Sequence, residues 1–150
     1  MFRGTFFHTL DDKGRVAIPR KFRDLLPAAE GEARVVVTKS AGPAPRTLDV
    51  YPMEEWKALE DRIRQMPQFQ ERTRKFKRLY LHPAQELTLD SQGRILLPHD
   101  LRSHIDLGKD AVFTGDLEKF LIWSRSDWEA QQNADQAAAA DGDSLDDLGL

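Results

Sequence analysis

Short segments in which apolar and polar residues alternate recur along the chain, and this period of two is typical of half-buried strands. Residues 6–10 and 15–18 show this pattern near the N-terminus. The β-branched run at 35–37 predicts a buried strand, and residues 48–51 predict the strand that returns beside it. The chain therefore begins with a unit built mainly of strands.

A turn separates the first two predicted strands. Asp11 can accept backbone hydrogen bonds and Gly14 can adopt a positive φ, so these residues suit a hairpin with a bulged glycine turn. Pro19 ends the second strand and fits the first turn of a short helix over residues 20–26. The predicted order within the unit is strand, turn, strand, short helix, strand, strand.

This unit occurs twice. The stretch at 10–23 returns 79 residues later at 89–102, and six of the fourteen positions are identical, among them Asp90, Gly93 and Arg94. An internal repeat of this kind constrains the architecture before any single residue is interpreted. Because a unit of about 50 residues is marginal on its own, we expect the two copies to share one core.

Helices are predicted between and after the copies. Apolar residues recur every three or four positions over 52–66 and 68–81, and this pair has no counterpart in the second copy. The basic face of the second helix could contact DNA, an acidic neighbour or only solvent. Ser126 and Glu129 have the spacing of a capping box and predict a last helix over 126–136.

Four segments follow from these patterns. We assign a first repeat to residues 5–55, a helical connector to 56–82, a second repeat to 84–127 and an acidic tail to 137–150. The tail consists largely of Ala, Asp and Gly. Such a segment buries too little apolar surface to offset the entropy of ordering, so we expect it to be disordered.

The net charge of −3 is unevenly distributed. Residues 127–150 hold seven acidic residues and no Lys or Arg, which leaves 22 basic against 18 acidic residues elsewhere. Residues 1–25 alone hold six basic and three acidic residues. A mildly basic body is compatible with nucleic acid as a partner, whereas the acidic tail argues against a protein that coats DNA by charge alone.

Enzyme chemistry finds little support. The four His residues are scattered and pair with no nucleophile at a recognisable spacing, and the chain has no Cys. Gly14 and Gly93 are single glycines rather than a phosphate-binding loop. We expect a protein that is not an enzyme, with no catalytic residue, metal site, cofactor or small-molecule substrate. The lack of Cys, of a signal peptide and of a long apolar run predicts a cytoplasmic protein without membrane contact.

Arg15 and Arg94 follow the turn glycines of the two copies, and two roles are open to each. The Arg could pair with the Asp of its own motif four residues earlier and so fix the turn. Alternatively, Arg15 could enter a DNA groove from the flank of the hairpin and contact guanine.

The first copy is surrounded by more basic residues than the second. Three positions that are basic in the first copy are not basic in the second, where they are Gln92, His99 and Asp100. Because proteins that read DNA need Arg or Lys at the phosphates, the candidate DNA-binding residues are Lys13, Arg15, Arg3, Arg20, Lys21 and Arg94. The candidate turn-forming residues are Asp11, Gly14, Asp90 and Gly93.

These motifs resemble the MraZ family of bacterial transcriptional regulators, whose members contain two tandem SpoVT-AbrB domains. The resemblance rests on the two Asp-x-x-x-Arg motifs, the start Met-Phe-Arg-Gly, and the Gly-Arg-Val-Ala-Ile-Pro and Tyr-Pro-x-x-Glu-Trp stretches. It covers roughly residues 1–130. It implies an α+β, mainly β fold: a pseudo-dimeric, swapped-hairpin β-barrel of the AbrB type, with a helical pair between the copies and a C-terminal helix.

The resemblance also implies a function. The family forms ring-shaped homo-oligomers and binds direct repeats of double-stranded DNA in the promoter of its own division and cell-wall operon, which it usually represses. The first motif lies on the DNA-contacting surface, and this role carries over to Lys13 and Arg15. Asp100 and the missing Lys of the second motif weaken the expectation for the second copy. We therefore expect a cytoplasmic, nucleoid-associated regulator.

Two other functions stay open. One is a DNA-binding antitoxin of the same fold whose tail wraps a toxin, although residues 134–150 offer few apolar anchors for one. The other is an assembly protein that uses the repeat only to build rings. Salt-dependent DNA binding separates a regulator from a purely structural ring.

Overall fold

The structure is a computed structural model that describes residues 1–28, 32–43, 45–142 and 145–149. Across these residues the chain forms strands β1 (Thr5–Thr9), β2 (Arg15–Ala17), β3 (Arg34–Lys39), β4 (Leu48–Pro52), β5 (Gln85–Thr88), β6 (Arg94–Leu96), β7 (Asp110–Asp116) and β8 (Lys119–Ser124). The α-helices are α1 (Arg20–Arg23), α2 (Met53–Arg64), α3 (Glu71–Phe76), α4 (His99–His104) and α5 (Arg125–Ala140). A π-helical turn at Lys77–Leu81 continues α3.

The fold is α+β and mainly β, with antiparallel strand pairs. Six strands form one sheet in the order β1–β7–β8–β4–β3–β5, and β2 pairs with β6 in a separate two-stranded ribbon. Four pairs join the first repeat to the second: β1 with β7, β3 with β5, β4 with β8, and β2 with β6. The two copies therefore build their sheets together.

One main core is shared by both repeats, as the marginal size of a single unit predicts. Its buried residues come from the large sheet, the ribbon, α1 and α4. Phe22 of α1 packs its ring against Phe2 and Phe120, with centroids 5.4 and 4.8 Å away. Leu101 of α4, at the equivalent position of the second repeat, is also fully buried. The short helices thus anchor the strands that follow the two turns.

A second apolar cluster lies on the other face of the large sheet, under α2 and α3. Because side chains alternate along a strand, Val36 and Tyr51 point away from the main core. They join Trp56 of α2 and Tyr80 of the π-helical turn. The connector between the repeats is therefore packed against the sheet face opposite to the ribbon.

A buried carboxylate lies within this cluster. Asp49 is 4% exposed and accepts hydrogen bonds from the Tyr80 hydroxyl at 2.5 Å and from Lys119 Nζ at 3.2 Å. The Tyr80 hydroxyl is also 2.6 Å from that of Tyr51. Burial, and then the negative charge of Asp49, raise the pKa of Tyr80. The network satisfies polar groups that would otherwise be costly to bury.

The strand pairing differs from the predicted hairpin. A turn still joins β1 to β2, and the Asp11 N–H donates to the Arg15 carbonyl at 2.9 Å. However, the ladder partner of β1 is β7 and that of β2 is β6. β2 pairs instead with its counterpart in the second repeat, which places Val16 opposite Ile95, and both side chains are completely buried. No strand pairing among the described residues closes a barrel.

Two helix boundaries differ from the sequence prediction. α1 ends at Arg23 rather than at residue 26, and the N–H groups of Leu25 and Leu26 donate to carbonyls three residues back. The second connector helix begins at Glu71 rather than at residue 68. Its predicted first residue, Gln68, instead donates its side-chain amide to the Ile63 carbonyl at 2.8 Å and so caps α2.

The last helix begins and ends differently from the prediction. Its cap is Ser124, whose Oγ accepts from the Asp127 N–H at 3.3 Å, and not Ser126. The helix continues to Ala140, four residues into the segment predicted to be disordered, and the high helix propensity of Ala accounts for this extension. Residues 143, 144 and 150 of that segment lie outside the described residues. No described helix is long and apolar enough to cross a membrane.

Candidate nucleic-acid interface

The ribbon of β2 and β6 presents the two motif arginines on one face. Val16 lies opposite Ile95, Arg15 opposite Leu96, and Ala17 opposite Arg94. Because successive side chains alternate between the two faces, the fully buried Val16–Ile95 pair enters the core. Arg15, Arg94 and Leu96 therefore share the outward face, on which Leu96 is 54% exposed.

Asp11 organises the first turn. Its Oδ1 accepts the backbone N–H groups of Lys13 and Arg15, both at 2.9 Å. Its Oδ2 accepts the Nε–H of Arg15 at 2.6 Å, and its carbonyl accepts the Gly14 N–H at 3.1 Å. Arg15 therefore pairs with the Asp of its own motif in the structure.

The second turn repeats this geometry. Asp90 Oδ1 accepts the N–H groups of Gln92 and Arg94, both at 2.9 Å, and Oδ2 accepts Nε–H of Arg94 at 2.9 Å. The backbone N–H of Arg15 is the main cause that lowers the pKa of Asp11 to about 2. The backbone N–H of Arg94 likewise lowers the pKa of Asp90. Both carboxylates are ionised at neutral pH and hold their turns.

Each turn is also held by the opposite repeat. The Ile18 N–H donates to the Gly93 carbonyl and the Leu97 N–H to the Gly14 carbonyl, both at 3.0 Å. The two bonds extend the ribbon symmetrically beyond its ladder. The position of one turn is thereby fixed relative to the other.

The arginine that ends each motif crosses to the other repeat. Arg23 lies against Gly93, where an added Cβ would be 2.5 Å from Arg23 Cδ. Arg102 lies against Gly14, where an added Cβ would be 2.9 Å from Arg102 Cζ. Both glycines also have positive φ, +75° for Gly93 and +86° for Gly14. They are required both by the turn conformation and by the close approach of an arginine.

The two outward arginines differ in their surroundings. The Arg15 side chain is 36% exposed and pairs with Asp11. The Arg94 side chain is 28% exposed and pairs with Asp90 at 2.9 Å and, across the ribbon, with Asp11 at 3.8 Å. Arg94 is thus held between two carboxylates, whereas Arg15 is more accessible.

The structure brings most of the predicted basic residues to this side of the molecule. Lys13 is exposed in the first turn, and Arg20 and Lys21 are exposed in the short helix that follows β2. Arg3 is exposed but stands beside Gly115 at the other end of β1. Since it is eight residues from Asp11 along an extended chain, it lies roughly 25 Å from the first turn.

Around the second turn the charge is partly neutralised. Asp100 at the start of α4 pairs with Lys39 at 3.2 Å, and His99 shares a hydrogen bond with Ser103 at 3.2 Å. The first repeat therefore carries the more basic edge of the ribbon, as its composition predicts.

The crossing of Arg23 and Arg102 was not anticipated from the sequence. The available signal was the identity of Arg23 with Arg102 at the last motif position, where neighbouring charges differ between the copies. A residue kept in both copies while its neighbours change indicates a role in the shared scaffold.

Comparison with known proteins agrees with the duplicated architecture. The family model described as "MraZ protein, putative antitoxin-like" matches twice, over residues 1–79 and 80–147. A protein named Transcriptional regulator MraZ from Desulfitobacterium hafniense (strain Y51) is 42% identical over 151 residues, covering 100% of both chains. The protein of that name from Acidithiobacillus ferrooxidans (strain ATCC 53993 / BNL-5-31) is 40% identical, covering 95% of this chain and 94% of its own. The chain therefore belongs to the MraZ family of transcriptional regulators.

Proposed function

We propose that the protein regulates transcription by binding double-stranded DNA through the outward face of the β2–β6 ribbon. The observation that carries the proposal is the placement of Arg15 and Arg94 on one exposed face of a two-stranded ribbon. The major groove of B-DNA is wide enough for such a ribbon. The family to which the chain belongs supports a role in transcription.

Arg15 is the residue best suited to contact a base. Within the described part of the chain, its Nε donates to Asp11 and its two Nη nitrogens have no protein partner. The ion pair orients the guanidinium without using its outer edge. That edge can donate two parallel hydrogen bonds to O6 and N7 of guanine.

The neighbouring lysines and arginines are assigned to the phosphates. Lys13, Arg20 and Lys21 are exposed beside the first turn, and basic side chains at phosphates provide affinity and register without reading sequence. We assign Arg94 a weaker contact because two carboxylates already engage it. Arg3 would contact only DNA that extends beyond the ribbon.

We further propose that the fold is the single-chain counterpart of a swapped-hairpin dimer. The support is that β1, β2 and β5 each find their ladder partner in the other repeat. The two repeats thus stand where two chains of a pseudo-dimer would stand. The short turns at Asp11 and Asp90 then lie side by side at one end.

The assembly we propose is a ring of copies that binds direct repeats in the promoter of the protein's own operon, a division and cell-wall cluster, and represses it. One ribbon makes few base contacts and binds weakly. Joining several ribbons in one assembly raises their effective concentration, so repeated boxes are bound more tightly than a single box. Such a protein would reside in the cytoplasm, at the nucleoid.

Binding to a duplex with the upstream repeats tests the proposal. Arg15→Ala should weaken binding by roughly 5- to 150-fold, from a bidentate guanine contact of about 1–3 kcal/mol. Lys13→Ala is the cleaner variant, because only the backbone of Lys13 holds the turn. This variant should make the slope of log binding constant against log salt concentration shallower by about one unit. The matched control is Lys57→Ala, because Lys57 lies in α2 on the opposite face of the sheet. If Lys13→Ala and Lys57→Ala changed DNA binding equally, the assignment of the ribbon face to DNA would be refuted.

An antitoxin is the second candidate, favoured by the antitoxin-like description of the matching family. Helix α5 has no buried residue along Arg125–Ala140 and could offer one face to a partner. Its acidic character suits a basic partner. Co-purification of a small toxic protein that is released by deleting residues 125–150 would support this function over the regulator.

A further inference from the structure

Phe69 is the most exposed large apolar side chain in the described part of the protein. It lies in the loop between α2 and α3 and is 93% exposed. Aromatic residues are enriched in the buried parts of protein–protein interfaces. We call the exposed Phe69 side chain the knob.

Hydrogen bonds hold the loop backbone on which the knob stands. The Arg74 guanidinium donates to the Phe69 carbonyl at 2.8 Å. The side-chain amide of Gln68 donates to the carbonyls of Ile63 and Met66 at 2.8 and 2.7 Å. A loop whose backbone is already ordered loses less conformational freedom on binding, so the burial of Phe69 contributes more to affinity.

The surroundings of the knob are basic. The helix that follows it carries five basic residues and one acidic residue between positions 71 and 78: Arg72, Arg74, Lys75, Lys77, Arg78 and Glu71. Arg78 pairs with Glu71 at 2.5 Å, and the hydrogen bond from Arg78 is the main cause that lowers the pKa of Glu71. The only carboxylate among them is therefore neutralised, and the knob faces outward within a positive rim.

An apolar pocket with the opposite charge lies near the first turn of α2. A cavity of 230 Å³ is lined by Met1, Leu25, Pro27 and Leu117, among others. Met1, Leu25 and Leu117 are 63%, 48% and 57% exposed, so the pocket opens to solvent. Its acidic rim consists of Glu54, Glu55 and Glu118.

Knob and pocket cannot meet within one chain. The pocket adjoins the start of α2, whereas Phe69 lies five residues beyond its end. A helix of that length spans roughly 18 Å. Each chain therefore has one apolar protrusion with a basic rim and, at the far end of α2, one apolar recess with an acidic rim.

We propose that the Phe69 knob of one copy docks into the pocket at Leu117 of the next copy. Shape and charge are complementary, and the contact is head-to-tail. In an open array, one end copy keeps a free knob and the other end copy a free pocket. The array closes into a ring where the rotation per copy allows it. This inference rests on the proposed ring and identifies the surfaces that build it. It leaves the ribbon free for DNA, because α2 covers the opposite face of the sheet.

Disulfide trapping tests the contact directly, because the chain contains no Cys. Chains with Phe69→Cys and chains with Leu117→Cys are mixed and oxidised mildly without DNA. A disulfide between the two variants is expected, several-fold more abundant than when Phe69→Cys is mixed with Leu96→Cys. Leu96 is a suitable control because it is 54% exposed, close to the 57% of Leu117. If the main product were a disulfide between two chains that both carry Phe69→Cys, the head-to-tail contact would be overturned.

The mass of the assembly provides the second measurement. Phe69→Ser and Glu118→Lys should each lower the mass of the main species, measured by light scattering, towards that of the single chain of 17.2 kDa. The circular dichroism spectrum should stay unchanged. Leu96→Ser should keep the assembly. An unaltered assembly in Phe69→Ser, or a wild-type chain that stays single, would overturn the proposal. Neither outcome affects the test of DNA binding with Lys13→Ala, so the two proposals can fail separately.

Discussion

Replacing Gly93 by Ala tests the crossed packing of the repeats. Gly93 has φ of +75° and an added Cβ would lie 2.5 Å from Arg23 Cδ. The left-handed backbone costs a non-glycine residue about 1–2 kcal/mol, and overpacking adds about 1–3 kcal/mol. The reduced entropy of the unfolded chain returns about 0.4–1 kcal/mol. We expect Gly93→Ala to lower the free energy of unfolding by about 2–4 kcal/mol.

Two glycines serve as comparisons. At Gly14 an added Cβ would lie 2.9 Å from Arg102 Cζ, a longer contact than that with Arg23 at Gly93. A smaller loss of about 1 kcal/mol is therefore expected, from the left-handed backbone less the entropy that the unfolded chain returns. Gly108→Ala meets no atom within 4 Å and should be neutral or slightly stabilising. Urea unfolding followed by tryptophan fluorescence gives all three values.

The double variant Gly93→Ala with Arg23→Ala separates the two causes. Without the Arg23 side chain, the new Cβ no longer clashes. The double variant should therefore lose less free energy of unfolding than the sum of the two single losses. If Gly93→Ala were as stable as Gly108→Ala, or if the two changes were additive, Arg23 would not pack against the turn of the other repeat.

Two further outcomes follow from the buried and charged groups. Tyr80→Phe removes the hydroxyl that donates to Asp49 and should cost about 1–3 kcal/mol in urea unfolding, because the carboxylate then loses a buried partner. Since the pKa of Asp11 falls from its ordinary 3.8 to about 2 in the folded protein, its stabilising effect is present above about pH 4 and is lost as the pH falls towards 2. Asp11→Asn should therefore flatten the pH dependence of stability in this window; an unchanged slope would contradict the role of Asp11 in the turn.

Much of the fold is predictable because it is local. The strands on either side of each turn, the residues Asp11 and Gly14, and the two helices of the connector follow from alternation, turn chemistry and three-to-four spacing. The repeat adds the shared core, since neither copy is large enough alone. The pairing of Arg15 with Asp11 is likewise predictable from their spacing as one of two alternatives.

The remaining features depend on contacts that are distant in sequence. The pairing of β1 with β7 and the approach of Arg23 to Gly93 join residues about 70 to 110 positions apart, and no local pattern encodes them. Arg3 lies far from the ribbon for the same reason: sequence proximity to the motif says nothing about which end of β1 it occupies. The choice of Ser124 over Ser126 as helix cap depends on where β8 ends.

Thiol protection by DNA is the most direct test of the central claim, that the outward ribbon face meets DNA. Leu96 lies opposite Arg15 on this face, and Leu79 lies on the π-helical turn behind the large sheet; both are 54% exposed. Each is replaced by Cys in the Cys-free chain, and alkylation is timed with and without the upstream duplex. DNA is expected to slow the alkylation of Cys at position 96 at least several-fold and to leave the alkylation rate at position 79 unchanged. Equal rates at position 96, or protection of position 79 alone, would contradict the central claim.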